Sequence, residues 1–402
     1  MAVVAAGAAT VILRPRSGLI DPAAIDPGAY FSKADIRRAE DFRGLQRLIG
    51  VGSLLVSGAT LAVLAVRPPS PVRRLIERWE GKPVRGAALV AVGISVTLTL
   101  TGLPLSVWAH ERAVDYGLST QSLGPWFADA GKSAVIAAVI AAIGGAVAIA
   151  LIRRFPARWW IPAAAVVTGF AVVVLYLSPV LIDPLFNRFE PLPAGALRSD
   201  VQRLADEAGV DLGEVYRVDA SRRTSAINAY VGGLGHTKRV VLYDNLIDDY
   251  PEGQVRSVVA HELGHVKYSD VPRGLLWVAI VAPAGTLLVQ RLSEGLAARS
   301  GREGGSLPPV PAVLPAVALS LAVVSFALTC AGNALSRPVE ARADAYALGL
   351  TGDSKGFIAL ERSLTLRNLG DPDPPAVLHW LFGTHPTTVE RLGFGESFAR
   401  QR

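Results

Sequence analysis

Cysteine is almost missing from this chain. Cys330 is the single one among 402 residues, and it lies inside an apolar run. One cysteine makes no internal disulfide and no thiolate metal cluster, so a disulfide scaffold and a cysteine-based zinc module are both excluded. Cys330 reads as a small core residue and says nothing about redox compartment. Charge is scarce too. Only 18% of residues are charged, against about a quarter in a soluble domain. With a mean hydropathy of +0.37, this points to a membrane protein before any segment is inspected. The net charge is +6, but no single basic stripe is formed. The arginines flank apolar segments, as headgroup anchors do, so nucleic acid is not an expected partner. No internal repeat or low-complexity tract is present. No cation precedes the first apolar stretch, Met1–Leu13, whereas Arg14 and Arg16 follow it. That order is the reverse of a cleaved signal peptide.

What the chain does have is long uncharged runs. About 20 apolar residues suffice to cross the hydrocarbon core. Leu48–Val66, Gly86–Ala109, Ser133–Ile152, Trp159–Ile182, Gly274–Gln290 and Ala312–Leu335 are six such candidates, the fifth the shortest. Met1–Leu13 is a short seventh. The expected fold class is therefore mainly α: a polytopic transmembrane helical protein of six to seven spans, in contact with the lipid bilayer. Two polar regions remain, Asp183–Asp270 and Ser336–Arg402. Neither alone is of comfortable domain size. They are expected to fold together around a membrane hairpin. The division is then residues 1–182, an N-terminal membrane domain; 183–272, the first part of a soluble domain; 273–335, the hairpin; and 336–402, the second part.

The chemistry gathers in the stretch HELGHVKYSD, His261–Asp270. The apolar residues Val255, Val258, Val259, Ala260, Leu263 and Val266 recur at helical spacing, and Pro251 and Glu252 suit a first turn. On a helix His261 and His265 share one face, one turn apart, so both imidazoles can reach one ion. Glu262, next to the first, suits a general base for an attacking water. This is the HExxH arrangement of zinc hydrolases. A catalytic zinc takes three protein ligands. A histidine six residues beyond His265 would be one source, but position 271 is Val271. A glutamate on a later helix is the other. SRPVEARADAYALGL, Ser336–Leu350, offers Glu340, with Ala341, Ala343, Ala345 and Ala347 small enough for close helix approach. Glu340 is favoured, with Glu361 and His379 as alternatives. Asp344, one turn on, can accept a hydrogen bond from a ligand histidine. Val240–Tyr243 reads as a strand, with Ala229–Val231 its hairpin partner and Gly232, Gly233 and Gly235 in the turn. Such a strand can hold an extended peptide by edge pairing. His236 reads as a turn residue. His385, before Pro386, sits at a helix or loop start, where it can support an oxyanion.

These pieces, with WAHERAVDYGLS (Trp108–Ser119), SPVLIDPLFNRFEPL (Ser178–Leu192), NAYVGGLGHTKRVVLYDNLI (Asn228–Ile247) and THPTTVERL (Thr384–Leu392), occur in a familiar order. The chain resembles the membrane-integral, zinc-dependent type I CAAX prenyl proteases, in a bacterial-type version, from about Tyr30 onward. The resemblance implies a gluzincin-like protease domain with one Zn2+ per chain on His261, His265 and Glu340. It implies Glu262 as base, Asp344 behind a ligand and His385 near the substrate. Asn228 and Ala229 would lie on a substrate-binding strand, and helices would enclose an interior chamber. Family members open with a full first span, and this chain has only a short one.

The expected activity is metalloendopeptidase cleavage of membrane-associated or C-terminally modified polypeptides, in a multi-pass protein of the plasma membrane. The resemblance puts the protease domain in the cytoplasm. The arginine-dense loops Arg67–Arg85 and Arg153–Arg158 would then lie outside, against the positive-inside tendency. The alternative, a non-catalytic membrane binding protein or transporter, predicts ionisable residues within the spans. The six runs hold almost none.

Overall fold

The computed structural model describes residues 2–233, 238–299, 307–308 and 310–402. Its membrane half comprises α1 (Ala2–Leu13), α2 (Lys33–Val66), α3 (Ser70–Glu77), α4 (Pro83–Asp115), α5 (Leu123–Arg154) and α6 (Trp160–Leu181). A mixed segment follows: β1 (Phe189–Pro191), α7 (Ala196–Ala208), β2 (Glu214–Val218), β3 (Ala229–Gly232), β4 (Arg239–Tyr243), α8 (Asp244–Asp249) and α9 (Glu252–Lys267). Then come α10 (Asp270–Arg299), α11 (Leu314–Thr351), α12 (Ser354–Arg367), α13 (Ala376–Phe382) and α14 (Thr388–Arg400).

Among the described residues, six helices are long and apolar enough to cross a membrane: α2, α4, α5, α6, α10 and α11. Each of the six runs read from the sequence falls on one of them. The short α1 has 12 residues, roughly 18 Å of helix against about 30 Å of hydrocarbon. It packs through buried Ala6 and Ala9 against α10 and α11. Trp277 Nε1 donates to Thr10 Oγ1 at 3.1 Å and holds it there. The apolar windows of α2, α4 and α5 are each only 17% buried, and that of α6 is 0% buried. α4 and α5 approach closely: a Cβ on Gly145 would stand 2.6 Å from Ala91 Cβ.

Several helices run past their apolar stretches, α2 and α11 the furthest. Ser32 and Asp35 form a reciprocal cap at the start of α2, which satisfies two orphan donors. The polar first turns of α2 then reach the soluble half, where Arg43 donates to the carbonyls of Asn368 and Leu369 and Arg47 pairs with Asp371 at 2.9 Å. Likewise α11 continues without a break through Leu335 and Ser336. The sixth apolar run and the expected third-ligand segment are one helix of 38 residues. A helix satisfies its own backbone, so crossing from lipid to water requires no interruption.

The four-stranded sheet has the order β1-β2-β4-β3, with β2 and β4 parallel and the other pairs antiparallel. Ala229 faces Leu242 and Val231 faces Val240, so the expected hairpin pairing is present. The expected turn residues Gly235 and His236 lie outside the described residues. Central β4 is covered on both faces. Val240 and Leu242 join a core with Val201 and Leu204 of α7 and with Val255, Val259 and Leu263 of α9. Val241 packs with Val218 and Ala220 on the other side. Leu360 of α12 enters the α7–α9 core, so the two polar stretches of the sequence pack on each other around the α10–α11 hairpin.

Candidate active site

One face of α9 feeds the core through Val255, Val259 and Leu263; the remaining side carries His261, Glu262 and His265. The helix lies directly against α11. A Cβ on Gly264 would meet Ala343 Cα at 3.3 Å and Tyr346 Cβ at 3.4 Å, and Ala343 and Ala347 are fully buried. Small residues on both helices thus bring Glu340 to the histidines. His261 Nε2 is 3.1 Å and His265 Nε2 is 3.5 Å from Glu340 Oε2, and the two Nε2 atoms are 3.2 Å apart. These three residues form the metal-type cluster found among the described residues. Neither Glu361 nor His379 joins it.

The outer nitrogens of both rings are also held. His261 Nδ1 donates to Asp344 Oδ1 at 2.8 Å, and His265 Nδ1 to Asp270 Oδ2 at 3.0 Å. With those protons on Nδ1, both Nε2 lone pairs point at the Glu340 carboxylate. Three acceptors then converge on one point with no donor between them, which is a cation site. Separations of 3.1–3.5 Å match the roughly 3.3 Å edge of a tetrahedron with bonds of about 2.0–2.1 Å, so the donor set fits zinc. Without an ion, protons must do that job. Burial pushes the His261 imidazolium down, but its bonds to Asp344 and Glu340 outweigh this and raise it to about 10. His265 is raised to about 9, its burial outweighed by Asp270 and Glu340. Glu262 is raised chiefly by burial, with His261 and His265 opposing. That direction suits a base that must also give its proton back.

Asp344 is fully buried and is gripped by Arg391, whose Nε and Nη2 approach its two oxygens at 2.8 and 2.6 Å. Arg391 also pairs with Glu361 at 2.7 Å. Burial lowers the Arg391 guanidinium, but the two carboxylates outweigh it and hold it above its usual value. On the other flank Asp270 pairs with Arg342, which stacks over the Tyr268 ring at 4.1 Å. His385 Nε2 stands 3.2 Å from Glu340 Oε2 on a half-exposed side chain. Asn228 and Ala229 line one pocket with His261, Glu262 and His385. Ala229 N bonds the Asn228 side chain at 2.9 Å, and Asn228 O accepts from Tyr243 at 3.2 Å.

His261, Glu262, His265, Glu340, Asp344, His385, Asn228 and Ala229 are therefore in or beside one cluster, whereas His379 is not. Sequence reasoning missed Asp270, Arg342 and Arg391, and named Glu361 only as an alternative ligand. Asp270, Arg342 and Arg391 lay inside quoted motifs, yet nothing in residue spacing marks them.

The model of Peptidase family M48 matches residues 191–394, which contain the whole cluster. The chain belongs to peptidase family M48. A second model, the CAAX prenyl protease N-terminal region with five membrane helices, matches residues 46–188. Among M48 relatives, an uncharacterized metalloprotease, YhfN, of Bacillus subtilis is 31% identical over 382 residues, 92% of this chain and 88% of that protein. CAAX prenyl protease 1 of Saccharomyces cerevisiae is 28% identical over 326 residues, covering 74% of this chain and 69% of its own length. A crystal structure of S. mikatae Ste24p superposes with a TM-score of 0.72 at 21% identity, covering 98% of both chains. The mainly helical, multi-span fold with a small mixed sheet is thus Ste24p-like. The protein is a membrane metalloendopeptidase of this family.

Proposed function

We propose that the protein is a zinc-dependent endopeptidase with one Zn2+ per chain, held by His261, His265 and Glu340, and that Glu262 is its general base. The observation that carries this reading is the convergence of His261 Nε2, His265 Nε2 and Glu340 Oε2 within hydrogen-bond range, with both imidazoles oriented from behind. Bound zinc would polarise the scissile carbonyl and lower the pKa of water toward about 7. Glu262 takes the proton of the attacking water and delivers it to the leaving amine. Asp344 and Asp270 keep the ring protons on Nδ1. His385 donates to the oxyanion that forms at the carbonyl. An extended substrate pairs with the β3 edge beside Asn228 and Ala229.

The substrate class is membrane-associated or C-terminally modified polypeptides. The names of the eukaryotic relatives favour a C-terminal, prenylated substrate. The alanine-, valine- and arginine-rich composition is that of a high-GC bacterium, which favours unmodified membrane proteins. The protein resides in the plasma membrane with its protease domain facing the cytoplasm. The metal assignment is checked by elemental analysis of the purified chain. Zinc near one per chain is expected, falling at least about 10-fold in Glu340→Ala because a ligand is lost. Equal zinc in both would remove the assignment. Parallel assays with prenylated and unmodified peptides separate the two substrate readings.

A further inference from the structure

The arginine-dense segment Arg67–Arg85 plays no part in the peptidase reading. It holds six cations, Arg67, Arg73, Arg74, Arg78, Lys82 and Arg85, against two carboxylates, Glu77 and Glu80. All six cations are exposed. The ion pair they make among the described residues is a long one, Arg73 to Glu77 at 3.7 Å. α3 lies within this segment and forms one wall of an apolar groove of about 760 Å³, whose other walls are α2 and α4. Val63 and Leu64 of α2, Val72 and Ile76 of α3, and Leu89 and Ile94 of α4 line it, and no charged residue does. Thr97, one of two threonines in the lining, bonds its hydroxyl to Gly93 O at 2.7 Å. On α4 the lining runs from Leu89 to Thr97, about 12 Å along the helix. That is most of the hydrocarbon depth of one leaflet, about 15 Å.

The cations stand at one end of this groove on all three helices. Arg67 caps the end of α2, one turn past the lining residue Val63. Arg85 stands in the first turn of α4, one turn before Leu89. At about 100° per residue, Arg73 and Arg78 fall to either side of the α3 face that carries Val72 and Ile76. We propose that the groove binds one anionic phospholipid, with an acyl chain between α2 and α4 and the phosphate among Arg67, Arg73, Arg78 and Arg85. A helix like α3, with an apolar face flanked by cations, is the kind that lies in a headgroup layer. A zwitterionic lipid carries its own cation beside the phosphate, so the surplus of arginine favours a headgroup of net negative charge. Such a site explains the arginine density of this loop on either side of the membrane, where the positive-inside tendency alone does not. It requires neither metal nor turnover.

The test counts bound lipid. The full chain, stripped of lipid in a neutral detergent, is titrated with phosphatidylglycerol or phosphatidylcholine of identical acyl chains and followed by native mass spectrometry. One phosphatidylglycerol is expected to bind at least about 5-fold tighter than phosphatidylcholine, the effect of roughly one cation at a membrane surface. Arg73→Gln together with Arg78→Gln is expected to bring the two lipids to within about 2-fold of each other. Gly93→Phe is expected to abolish saturable binding of both. Gly93 lines the groove and a Cβ there meets nothing within 4 Å, so the ring enters without a clash. Gly93→Ala leaves the groove open and is expected to bind as the unchanged chain does, which separates filling the groove from altering the helix. Equal binding of the two lipids by the unchanged chain overturns the proposal whatever the variants do. A preference that survives in the arginine double variant, or binding that survives in Gly93→Phe, overturns it as well.

Discussion

Ser269, at φ 55°, turns the chain out of α9 so that Asp270 comes back to the Nδ1 of His265. On a continuing helix a residue five positions on would lie about 140° round the axis and could not reach. The sequence could show two histidines on one face, because helical period alone sets that. It could not show Asp270 as a partner, because one left-handed residue decides it. Asp344 was legible because it stands one turn from Glu340 on the same helix. Arg391 was not, since its role depends on α14 packing beside α11. Asp270 is a positioning residue, and its ion pair with Arg342 holds it in place. Asp270→Asn is expected to weaken zinc about 10–100-fold, measured by competition with a chromogenic chelator, while the fold persists. Unchanged zinc affinity would show that His265 is oriented without it.

At the scale of elements, the hydropathy pattern made all six spans readable, and the β-branched and aromatic run Val240–Tyr243 gave the β3–β4 hairpin. Two helix boundaries were hidden. The polar opening of α2 and the junction within α11 were read as ends because apolarity stops there, whereas the helices continue through both. The membrane segment of α11 and the residues that bring a carboxylate to the histidines belong to one continuous helix, and α9 meets α11 closely at Gly264. Gly264→Val is expected to cost about 1–3 kcal/mol by overpacking against Ala343 and Tyr346. It should also lower zinc content by pushing Glu340 away. Thermal unfolding and metal analysis of the same preparation check both. A stable, fully loaded variant would show that the helices adjust freely.

Across the whole molecule, the soluble half is tied to the membrane half at several places. Arg43 and Arg47 of α2 reach the segment after α12. The chain between α1 and α2 lies on α14, with Ala23 N donating to Gly393 O at 3.1 Å and Ser397 to Asp21 O at 2.7 Å. A Cβ on Gly393 would stand 2.4 Å from the Ala23 carbonyl oxygen, so this approach needs glycine. No sequence pattern announced that strap. The cytoplasmic orientation can be checked with a single cysteine. In a Cys330→Ala background, Ser70→Cys at the start of α3 should react with a membrane-impermeant maleimide added to intact cells. Protection until the cells are lysed would reverse the orientation. The central claim is that a metal held by this cluster and the Glu262 carboxylate together hydrolyse a peptide bond. The most direct measurement is cleavage of a membrane-associated peptide by the purified full chain in lipid, with and without chelator, beside Glu262→Gln. The account predicts cleavage that stops with chelator, returns with zinc, and falls about 10²–10⁴-fold in Glu262→Gln at unchanged zinc content. Cleavage that survives in zinc-loaded Glu262→Gln, or that ignores the chelator, would contradict it.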